Sequence, residues 1–348
     1  MSDVIALDAM GGDDAPGAVL DGALIAAAEG IPLVLVGDAE ILGRELNARG
    51  GAPHGLRIVH APDTVGMGDK AAREVRRQRE TSLYVGAELV RDGEAASLVT
   101  MGNTGAAMAT ALVVLGRIKD VERPALGAVL PTVKDRPVMF LDVGANADAR
   151  PSHLAQFARM GSAYMRAVHH VDSPRVSLLS IGEESSKGSA LVTEAHALLA
   201  ADARLHFQGN IESRDLLSGD ADVIVTDGFT GNVCIKLAEG IVGVVFDQMR
   251  SAARSSLRSK IGGALLLPSL RGVRSRLDYR AFGAVPLLGV EGGVFIGHGR
   301  SDGAGVAGAL RSAHLAGQGG MLAALKGALE SSGSGSADAA GTPSRDAG

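Results

Sequence analysis

The stretch IALDAMGGDDAPGAV, residues Ile5–Val19, combines a short apolar run with a glycine pair and a proline. The apolar run suits a buried strand that ends at Asp8. Gly11 and Gly12 permit a tight loop after it. Pro16 suits the first turn of a helix, where its missing N–H is not needed. The stretch therefore predicts a strand–loop–helix unit, the unit from which α/β proteins are built.

Comparable apolar runs recur along the chain and alternate with longer helical patterns. The predicted strands are Val4–Leu7, Pro32–Val36, Arg57–Val59, Ser97–Thr100, Ala125–Leu130, Val138–Leu141, Val176–Ser180, Val223–Thr226 and Gly293–Ile296. The predicted helices are Pro16–Ala28, Lys70–Asp92, Ala106–Leu115, His153–Val168, Ala190–Ala201, Val233–Leu257 and Gly303–Leu329. Such apolar strands are typical of parallel sheets covered on both faces. We therefore predict a three-layer α/β/α fold with a mostly parallel, doubly wound sheet that binds ligands at the carboxyl ends of its strands.

Composition narrows the class of protein. The chain has 348 residues, of which 46% are hydrophobic, and contains no run of 18 apolar residues, so we expect no membrane-spanning helix. Its beginning lacks the basic region of a signal peptide. One cysteine, Cys234, excludes a disulfide framework and a cysteine-based zinc site. A net charge of −5 and 3% aromatic residues argue against nucleic-acid binding. We expect a cytoplasmic protein.

Two segments differ from the rest. Residues 1–330 are predicted to form the α/β/α domain, and Ser331–Gly348, which lacks large apolar residues, is predicted to be a disordered tail. Residues 250–280 are rich in arginine and enclose the apolar segment Ile261–Pro268. This basic and apolar segment suits an anionic membrane surface or an acidic carrier protein, and a helical hairpin between two subunits is the alternative. Its predicted contact residues are Arg258, Lys260, Leu265, Leu266, Leu267 and Arg271.

Polar, glycine-containing loops follow six of the predicted strands, where backbone N–H groups and amide side chains can hold an anion. Their candidate residues are Asp8, Gly11 and Gly12; Asn103 and Thr104; Asp142 and Asn146; Gly182, Glu183, Lys187 and Gly188; Asp227, Gly231 and Asn232; and His298. Taken singly, each loop is also compatible with a plain turn or a helix cap. The carboxylates of the first loop would repel a bare phosphate. Together, we expect the loops to converge along one rim of the sheet into a single phosphate pocket.

Lys187 is the strongest physical indication of an anion site. A lysine at the N-terminus of a helix is repelled by the positive end of the helix dipole, and a bound anion would offset this repulsion. A surface ion pair between Glu184 and Lys187 is the alternative. Cys234 lies in an apolar helical pattern and is interpreted as a core residue rather than a nucleophile. His298, between two glycines, is either a proton donor, an anion ligand or a plain loop histidine.

Eight short motifs occur together in order. They are DAMGGD, GNTGA, GRIKDVERPA, DVGAN, SIGEESSKG, FQGNIE, DGFTGNV and GHGRSD. In this order the chain resembles the phosphate acyltransferase family of the PlsX type over about residues 3–315. It departs from the family pattern at Asp14, Met101 and Glu291.

The resemblance implies an enzyme that transfers a fatty acyl group from acyl carrier protein to inorganic phosphate, without a metal or cofactor. The acyl phosphate product would serve glycerol-3-phosphate acylation at the membrane in phospholipid synthesis. The implied fold is like that of phosphate acetyltransferases and of isocitrate and isopropylmalate dehydrogenases. The implied partners are a second copy of the chain, acyl carrier protein, a membrane glycerol-3-phosphate acyltransferase and the inner face of an anionic membrane.

In the mechanism that we hypothesise, phosphate attacks the thioester carbonyl directly, because positioning can supply much of the rate. Lys187 with the Gly182 and Gly188 backbone would hold phosphate, and Asn232 or Asn103 would donate to the oxyanion. His298 would protonate the leaving thiolate or contact phosphate. Asp8, Asp142 and Asp227 would orient the donors rather than ligate a metal. The remaining predicted substrate-binding residues are Asp8, Gly11, Gly12, Thr104, Asn146, Glu183, Asp227 and Gly231.

Three rival functions stay open from the sequence. A short-chain phosphotransacetylase acting on acyl-coenzyme A shares the fold and the phosphate chemistry. A nicotinamide-linked decarboxylating dehydrogenase shares the architecture, but the sequence has no dinucleotide-binding fingerprint. A membrane adaptor without enzymatic activity would have little need for so many polar glycine loops at strand ends.

Overall fold

The computed structural model describes residues 3–66, 78–256, 258–263, 265–266 and 283–330. Its strands are β1 (Ile5–Asp8), β2 (Leu33–Gly37), β3 (Arg57–His60), β4 (Ser97–Thr100), β5 (Ala125–Leu130), β6 (Val138–Leu141), β7 (Arg175–Ser180), β8 (His206–Glu212), β9 (Val223–Val225), β10 (Ala284–Leu288) and β11 (Gly293–Gly297). Its helices are α1 (Gly17–Ala28), α2 (Ala39–Ala48), α3 (Ser82–Arg91), α4 (Thr104–Val114), α5 (Pro151–His169), α6 (Ala190–Ala201), α7 (Gly228–Arg254), α8 (Gly303–Gln318) and α9 (Met321–Glu330). A short 3-10 turn, Ser213–Asp215, follows β8.

The strands form one sheet in the order β3-β2-β1-β4-β11-β10-β5-β6-β9-β7-β8. Neighbours are parallel except around the centre, where β10 is antiparallel to β11 and to β5, and β5 is antiparallel to β6. The predicted α/β fold with a mostly parallel sheet is therefore confirmed.

Alternate strand residues point to opposite layers, as the two-residue period of a strand requires. Ile5 and Leu7 of β1 belong to a core that includes residues of α1, α2, α5, α6, α8 and α9. Ala6 belongs to the opposite core, with residues of α3 and α4. Cys234 and Ile235 of α7 pack on this second face, beside residues of β5 and β6. Helices thus cover both faces of the sheet, which gives three layers.

Two strands, one helix and several helix ends differ from the prediction. The strands β8 and β10 and the helix α2 were not predicted, α7 begins at Gly228 rather than at Val233, and the helix predicted over Gly303–Leu329 is divided into α8 and α9. The divide lies at Gly319 and Gly320, where the second glycine has φ +67°. Of the predicted Lys70–Asp92 helix, residues 70–77 lie outside the described part, and α3 begins at Ser82.

The strands run in two directions, and this overturns one expectation. β1, β4 and β11 are mutually parallel, whereas β6, β9 and β7 run the opposite way because the central strands are antiparallel. The polar loops therefore do not lie along one rim of the sheet. The loops after β1, β4 and β11 lie where the strands end on one side of the sheet. The loops after β6, β7 and β9 lie at the opposite ends of the strands.

Helix α7 is the least covered of the described helices. Of its 27 residues only Gly228 and Gly231 are buried. By its length and a mean hydropathy of 1.5 over 18 of its residues it could span a membrane, although the sequence, which has no unbroken run of 18 apolar residues, predicted no such helix. It also carries two ion pairs, Lys236 with Glu239 and Arg250 with Asp247.

The segment predicted to contact a membrane or carrier protein is described only in part. Residues 258–263 and 265–266 are helical, and Arg258, Lys260, Leu265 and Leu266 are exposed. Leu267 and Arg271 lie outside the described residues, as does the tail Ser331–Gly348.

Candidate active site

The Asp142 carboxylate organises the loop that follows β6. It is fully buried and accepts hydrogen bonds from five donors. Its Oδ1 accepts from the backbone N–H groups of Leu126 (3.1 Å), Gly144 (3.1 Å) and Ala145 (2.9 Å). Its Oδ2 accepts from the N–H (2.7 Å) and the side-chain Nδ2 (2.8 Å) of Asn146. Burial raises the pKa of Asp142, and these hydrogen bonds oppose the rise. Asp142 thus fixes the loop rather than contacting a substrate.

The N-terminus of α7 is joined to this loop through backbone contacts. Asp227 caps the helix, since its Oδ1 accepts from the N–H of Thr230 at 2.8 Å. The N–H of Gly228 donates to the carbonyl of Asn146 at 2.8 Å. A Cβ on Gly231 would overlap the carbonyl oxygen of Asp142. Glycine is therefore required at position 231 for the helix to approach the loop, and Asp227 and Gly231 position the site.

Asn232 and Asn146 have different parts in this arrangement. Both hydrogens of the Asn146 amide are used, one toward Asp142 and one toward the carbonyl of Pro124 at 2.8 Å. Asn232 is exposed and lies against Gly144, where an added Cβ would be 3.8 Å from its Nδ2. The side chain of Asn232 makes no hydrogen bond with another described residue. Its amide is therefore available to a ligand, whereas that of Asn146 is structural.

Lys187 lies in a loop that two hydrogen bonds hold in place. Ser180 donates through Oγ to the Lys187 carbonyl at 3.1 Å, and Asn210 of β8 donates through Nδ2 to the Glu184 carbonyl at 2.8 Å. Lys187 and Glu183 are exposed, and the Lys187 stem passes close over the buried Gly182. Gly188 has φ +113°, which favours glycine.

The alternative of a Glu184–Lys187 ion pair is not formed, because no ion pair joins the Lys187 ammonium to another described residue. Helix α6 begins at Ala190 with Ser189 as its cap, so Lys187 lies outside the first turn. The predicted helix Ala190–Ala201 is confirmed, and the effect of its dipole on Lys187 stays a prediction. The unpaired ammonium remains the reason to consider Lys187 an anion ligand.

A second polar group surrounds Asp8, which is buried. Thr100 donates through Oγ1 to Asp8 Oδ2 at 2.7 Å, Ser82 also donates to this carboxylate, and burial raises the pKa of Asp8. A Cβ on Gly11 would lie 2.5 Å from Asp8 Oδ2, and Gly12 has φ +117°. Gly11 is therefore explained by its close approach to the Asp8 carboxylate and Gly12 by its positive φ. Both agree with the interpretation of this loop as a plain turn.

The other residues of the Asp8 group follow β4 and β11. Asn103 caps α4, because its Oδ1 accepts from the N–H of Ala106 at 3.0 Å, and Thr104 is exposed beside it. His298 is exposed, and its Nδ1 accepts from the N–H of Arg300 at 3.2 Å. A neutral His298 therefore carries its proton on Nε2. The carbonyl of the next residue, Gly299, accepts from the N–H of Asp13 at 2.8 Å.

The two polar groups are separated along the sheet. Five strand intervals lie between β1 and β6, which places Asp8 about 24 Å from Asp142 at about 4.8 Å per interval. The strands β6, β9 and β7 are consecutive, so the loops of Asp142, Asn232 and Lys187 are neighbours. The Asp142 group, defined here as these three loops, is therefore a more compact candidate than the single pocket expected from the sequence.

Sequence reasoning missed three polar residues of these groups. Ser82 and Thr100 contact Asp8, and Asn210 holds the Lys187 loop. Asn210 lies in the FQGNIE motif, which was available as a signal. Cys234 is half-buried, and burial raises the pKa of its thiol, in agreement with the interpretation of Cys234 as a core residue.

Comparison with known proteins identifies the family. The family described as "Fatty acid synthesis protein" matches residues 4–323. A phosphate acyltransferase from Thermus thermophilus is 50% identical over 322 residues, which cover 92% of this chain and 97% of that protein. A phosphate acyltransferase from Pelotomaculum thermopropionicum is 46% identical over 328 residues, covering 94% and 95%.

A solved phosphotransacetylase from Streptococcus pyogenes shares the fold. It superposes with a TM-score of 0.60 at 17% identity and covers 94% of each chain. Given the family match and relatives of about 50% identity over most of their length, this chain belongs to the phosphate acyltransferase family and is an acyltransferase of lipid biosynthesis.

Proposed function

We propose that this enzyme transfers a fatty acyl group from acyl carrier protein to inorganic phosphate and releases acyl phosphate. The observation that carries the proposal is the Asp142 group, in which an ammonium and an amide without partners among the described residues belong to neighbouring loops. Phosphate is the acceptor that an exposed cation beside glycine-rich backbone would bind. The name of the relatives, phosphate acyltransferase, supports the same acceptor.

In the proposed reaction Lys187 holds phosphate, with backbone N–H groups around Gly182 and Gly188. A phosphate oxygen attacks the thioester carbonyl carbon and forms a new C–O bond while the carbonyl electron pair moves onto its oxygen. Asn232 Nδ2 donates to this oxyanion, a contact typically worth about 3 kcal/mol. The intermediate then collapses, the C–S bond breaks, and the thiolate leaves with the bonding electrons and takes a proton from solvent.

This scheme needs no strong general base, because phosphate is already an anion near neutral pH. Nor does it need a positioned acid, because a thiol has a pKa near 8.5 and leaves readily as thiolate. Asn103, Thr104 and His298 belong to the Asp8 group, so their contacts with substrate stay predictions. The protein contributes chiefly by positioning and by stabilising the oxyanion.

Incubation of the purified protein with acyl carrier protein thioester and radiolabelled phosphate tests the proposal. The expected product is labelled acyl phosphate, formed together with free carrier thiol in equal amounts. A parallel reaction with short-chain acyl-coenzyme A tests the rival function, and faster turnover of that donor would reject the proposed one. Asn232→Ala is expected to lower kcat about 100-fold or more, with a much smaller change in the KM for phosphate.

The proposed partners follow from two exposed surfaces of the described chain. We propose that a second copy of the chain covers the exposed apolar face of α7, giving a homodimer. The basic segment around Arg258 and Lys260, with Leu265 and Leu266, is proposed to contact either acyl carrier protein or an anionic membrane. Such contact would place the enzyme at the cytoplasmic face of the membrane, near an acyltransferase that uses its product.

A further inference from the structure

The motif GRIKDVERPA, residues 116–125, supports the loop that follows β6, the Asp142 loop (residues 142–150). The carbonyl of Pro124 accepts a hydrogen bond from the Asn146 amide at 2.8 Å. The N–H of Leu126, just after the motif, donates to the carboxylate of Asp142 at 3.1 Å. The proposed reaction uses no residue of the motif, so these contacts give it a supporting part beside the site.

The same motif is also joined to the first turns of α5. Gln156 bridges two of its backbone groups, since Oε1 accepts from the N–H of Glu122 at 2.9 Å and Nε2 donates to the carbonyl of Asp120 at 2.8 Å. Ser152 donates through Oγ to Oε2 of Glu122 at 3.1 Å. Helix α5 begins where the Asp142 loop ends, so the motif supports both ends of this loop.

His153 of α5 connects the loop itself to Glu122. The residue is only 6% exposed. Its Nδ1 accepts from the backbone N–H of Arg150, the last residue of the loop, at 3.1 Å. Its Nε2 lies 3.2 Å from Oε2 of Glu122, within hydrogen-bonding distance. A neutral imidazole that accepts at Nδ1 carries its proton on Nε2, so the neutral ring suits both neighbours.

Protonation of His153 removes the contact with the loop. A charged imidazole has an N–H on both nitrogens, so Nδ1 no longer accepts from Arg150. The charged groups around the ring are Glu122 and Arg123 of the motif and Arg150 of the loop. Burial lowers the pKa of His153 from its ordinary value of 6.5, Glu122 opposes this, and the two arginines reinforce it. The neutral ring is therefore lost only as the pH falls below 6.5.

The position of the Asp142 loop in turn determines the position of Asn232. The N–H of Gly228, at the start of α7, donates to the carbonyl of Asn146 at 2.8 Å. Asn232 lies against Gly144 of the loop. Because the Asn232 amide is the proposed donor to the oxyanion, a shift of the loop would change kcat more than the KM for phosphate.

We propose that His153 is a positioning residue for acyl transfer, which in its neutral form holds the Asp142 loop against Glu122 and loses this hold when it is protonated. The inference rests on the function proposed for Asn232. It implies an acid limit to kcat that belongs to the enzyme rather than to the titration of phosphate.

Two variants of His153 test the inference. His153→Leu removes both contacts and is expected to lower kcat about tenfold at pH 7.5, with little change in the KM for phosphate. His153→Gln should recover most of this loss, because an amide at the third helical position can accept from the N–H of the cap residue and does not titrate. The ratio of its kcat to that of the wild type should rise about threefold or more between pH 6.5 and 4.5. The titration of phosphate cancels in this ratio.

His54→Gln is the control, since His54 is an exposed histidine before β3, and it should follow the wild type at every pH. The kinetics use whichever thioester the enzyme turns over, so failure of acyl carrier protein as the donor would count against the proposed function alone. A pH profile of His153→Gln parallel to that of the wild type would overturn the inference, even if His153→Leu does not fold.

Hydrogen exchange gives a second measurement that is independent of catalysis. At pH 7.5 the N–H groups of Gly144, Ala145 and Asn146, which donate to Asp142, should exchange about tenfold faster in His153→Leu than in the wild type. In His153→Gln they should exchange at nearly the wild-type rate. Circular dichroism confirms that each variant is folded at the pH used. Unchanged exchange of these groups in a folded His153→Leu protein would also overturn the inference.

Discussion

At the scale of a single residue, Lys187 is the proposed phosphate ligand of the Asp142 group. Its ammonium is exposed and unpaired among the described residues. Lys187→Ala is therefore expected to raise the KM for phosphate by about tenfold or more, since hydrogen bonds to charged groups contribute about 1.5–3 kcal/mol. Steady-state rates over a range of phosphate concentrations measure the change.

Lys119→Ala is the matched control for Lys187, because Lys119 is also exposed but lies in the loop after α4. It should leave both KM and kcat unchanged. Wild-type kinetics in the Lys187→Ala enzyme would remove Lys187 from the site.

For single residues, the sequence predicts which kinds of side chain lie at the strand ends better than it predicts what each side chain does there. The polar loops were located correctly at strand ends, and Asp142 and Asp227, hypothesised to orient donors, hold a loop and a helix cap. Asn146, predicted to bind substrate, instead uses both amide hydrogens within the loop. This division depends on which donors already have partners, and such pairing is a property of the three-dimensional arrangement. The amide of Asn146 has partners for both hydrogens, whereas that of Asn232 has none among the described residues.

Among the elements, α5 and α6 are linked by a buried ion-pair network that predicts a dependence of stability on pH. Asp202, at the end of α6, has a side chain only 6% exposed. Burial would raise its pKa, but hydrogen bonds from Arg204 and Arg159 outweigh this and lower the pKa of Asp202 to about 2, from 3.8. The folded state thus prefers the ionised carboxylate.

A lowered pKa stabilises the fold above the ordinary value near pH 4, and this contribution is lost as the pH falls toward 2. It amounts to about 2 kcal/mol. Asp202→Asn should lower the free energy of unfolding at pH 7 by that order and flatten its dependence between pH 4 and 2. Urea unfolding across this range measures both. Asp92→Asn, at an exposed pair with Arg91, is the control and should change little.

The elements that the sequence failed to predict have local explanations. Strand β10 contains Pro286, and a proline within a run argues against a strand. In the structure β10 pairs with β5 only at Leu287 and Leu288, so Pro286, which has no N–H to donate, lies where β10 has β11 alone as a neighbour. The beginning of α7 resembled a loop because Gly228 and Gly231 lie in its first turn. Those glycines are needed for contact with the Asp142 loop, which lies far away in sequence.

The basic segment after α7 supports a prediction about membrane binding. Leu265 is 78% exposed and follows the exposed cations Arg258 and Lys260 closely in sequence. Leu265→Glu with Leu266→Glu should abolish flotation with vesicles that contain anionic lipid, because it removes apolar contact and adds negative charge. Leu198→Glu, at an exposed leucine of α6, is the control and should float as the wild type does. Unchanged flotation of the double variant would reject membrane contact by this segment.

For the whole molecule, strand direction was the property that the sequence could not supply. Each strand–loop–helix unit was predicted from its own residues, but the antiparallel centre of β11, β10, β5 and β6 reverses one half of the sheet relative to the other. Direction is set by which strands pair, and β10 comes from the far end of the chain. The expectation of a single rim failed for this reason, while the three-layer architecture did not depend on it.

The exposed stripe on α7 carries the prediction for the assembly. Phe229, Val233, Leu237, Ile241 and Val245 recur every fourth residue, and Leu237 is 62% exposed. A contiguous apolar stripe of this length is unusual on the surface of a monomer and is typical of a helix interface. It begins next to Asn232, so a second copy that covers it would also border the Asp142 group.

We therefore expect the wild-type chain to sediment as a dimer, and Leu237→Glu with Ile241→Glu to sediment as a monomer with lower acyltransferase activity. Two carboxylates placed against their symmetry mates would lose solvation without gaining partners. Lys236→Gln changes a charge on the same helix outside the stripe and should leave the dimer intact. Sedimentation velocity with circular dichroism separates dissociation from unfolding. A wild-type monomer, or a folded double variant that remains dimeric, would show that α7 is not the interface between subunits.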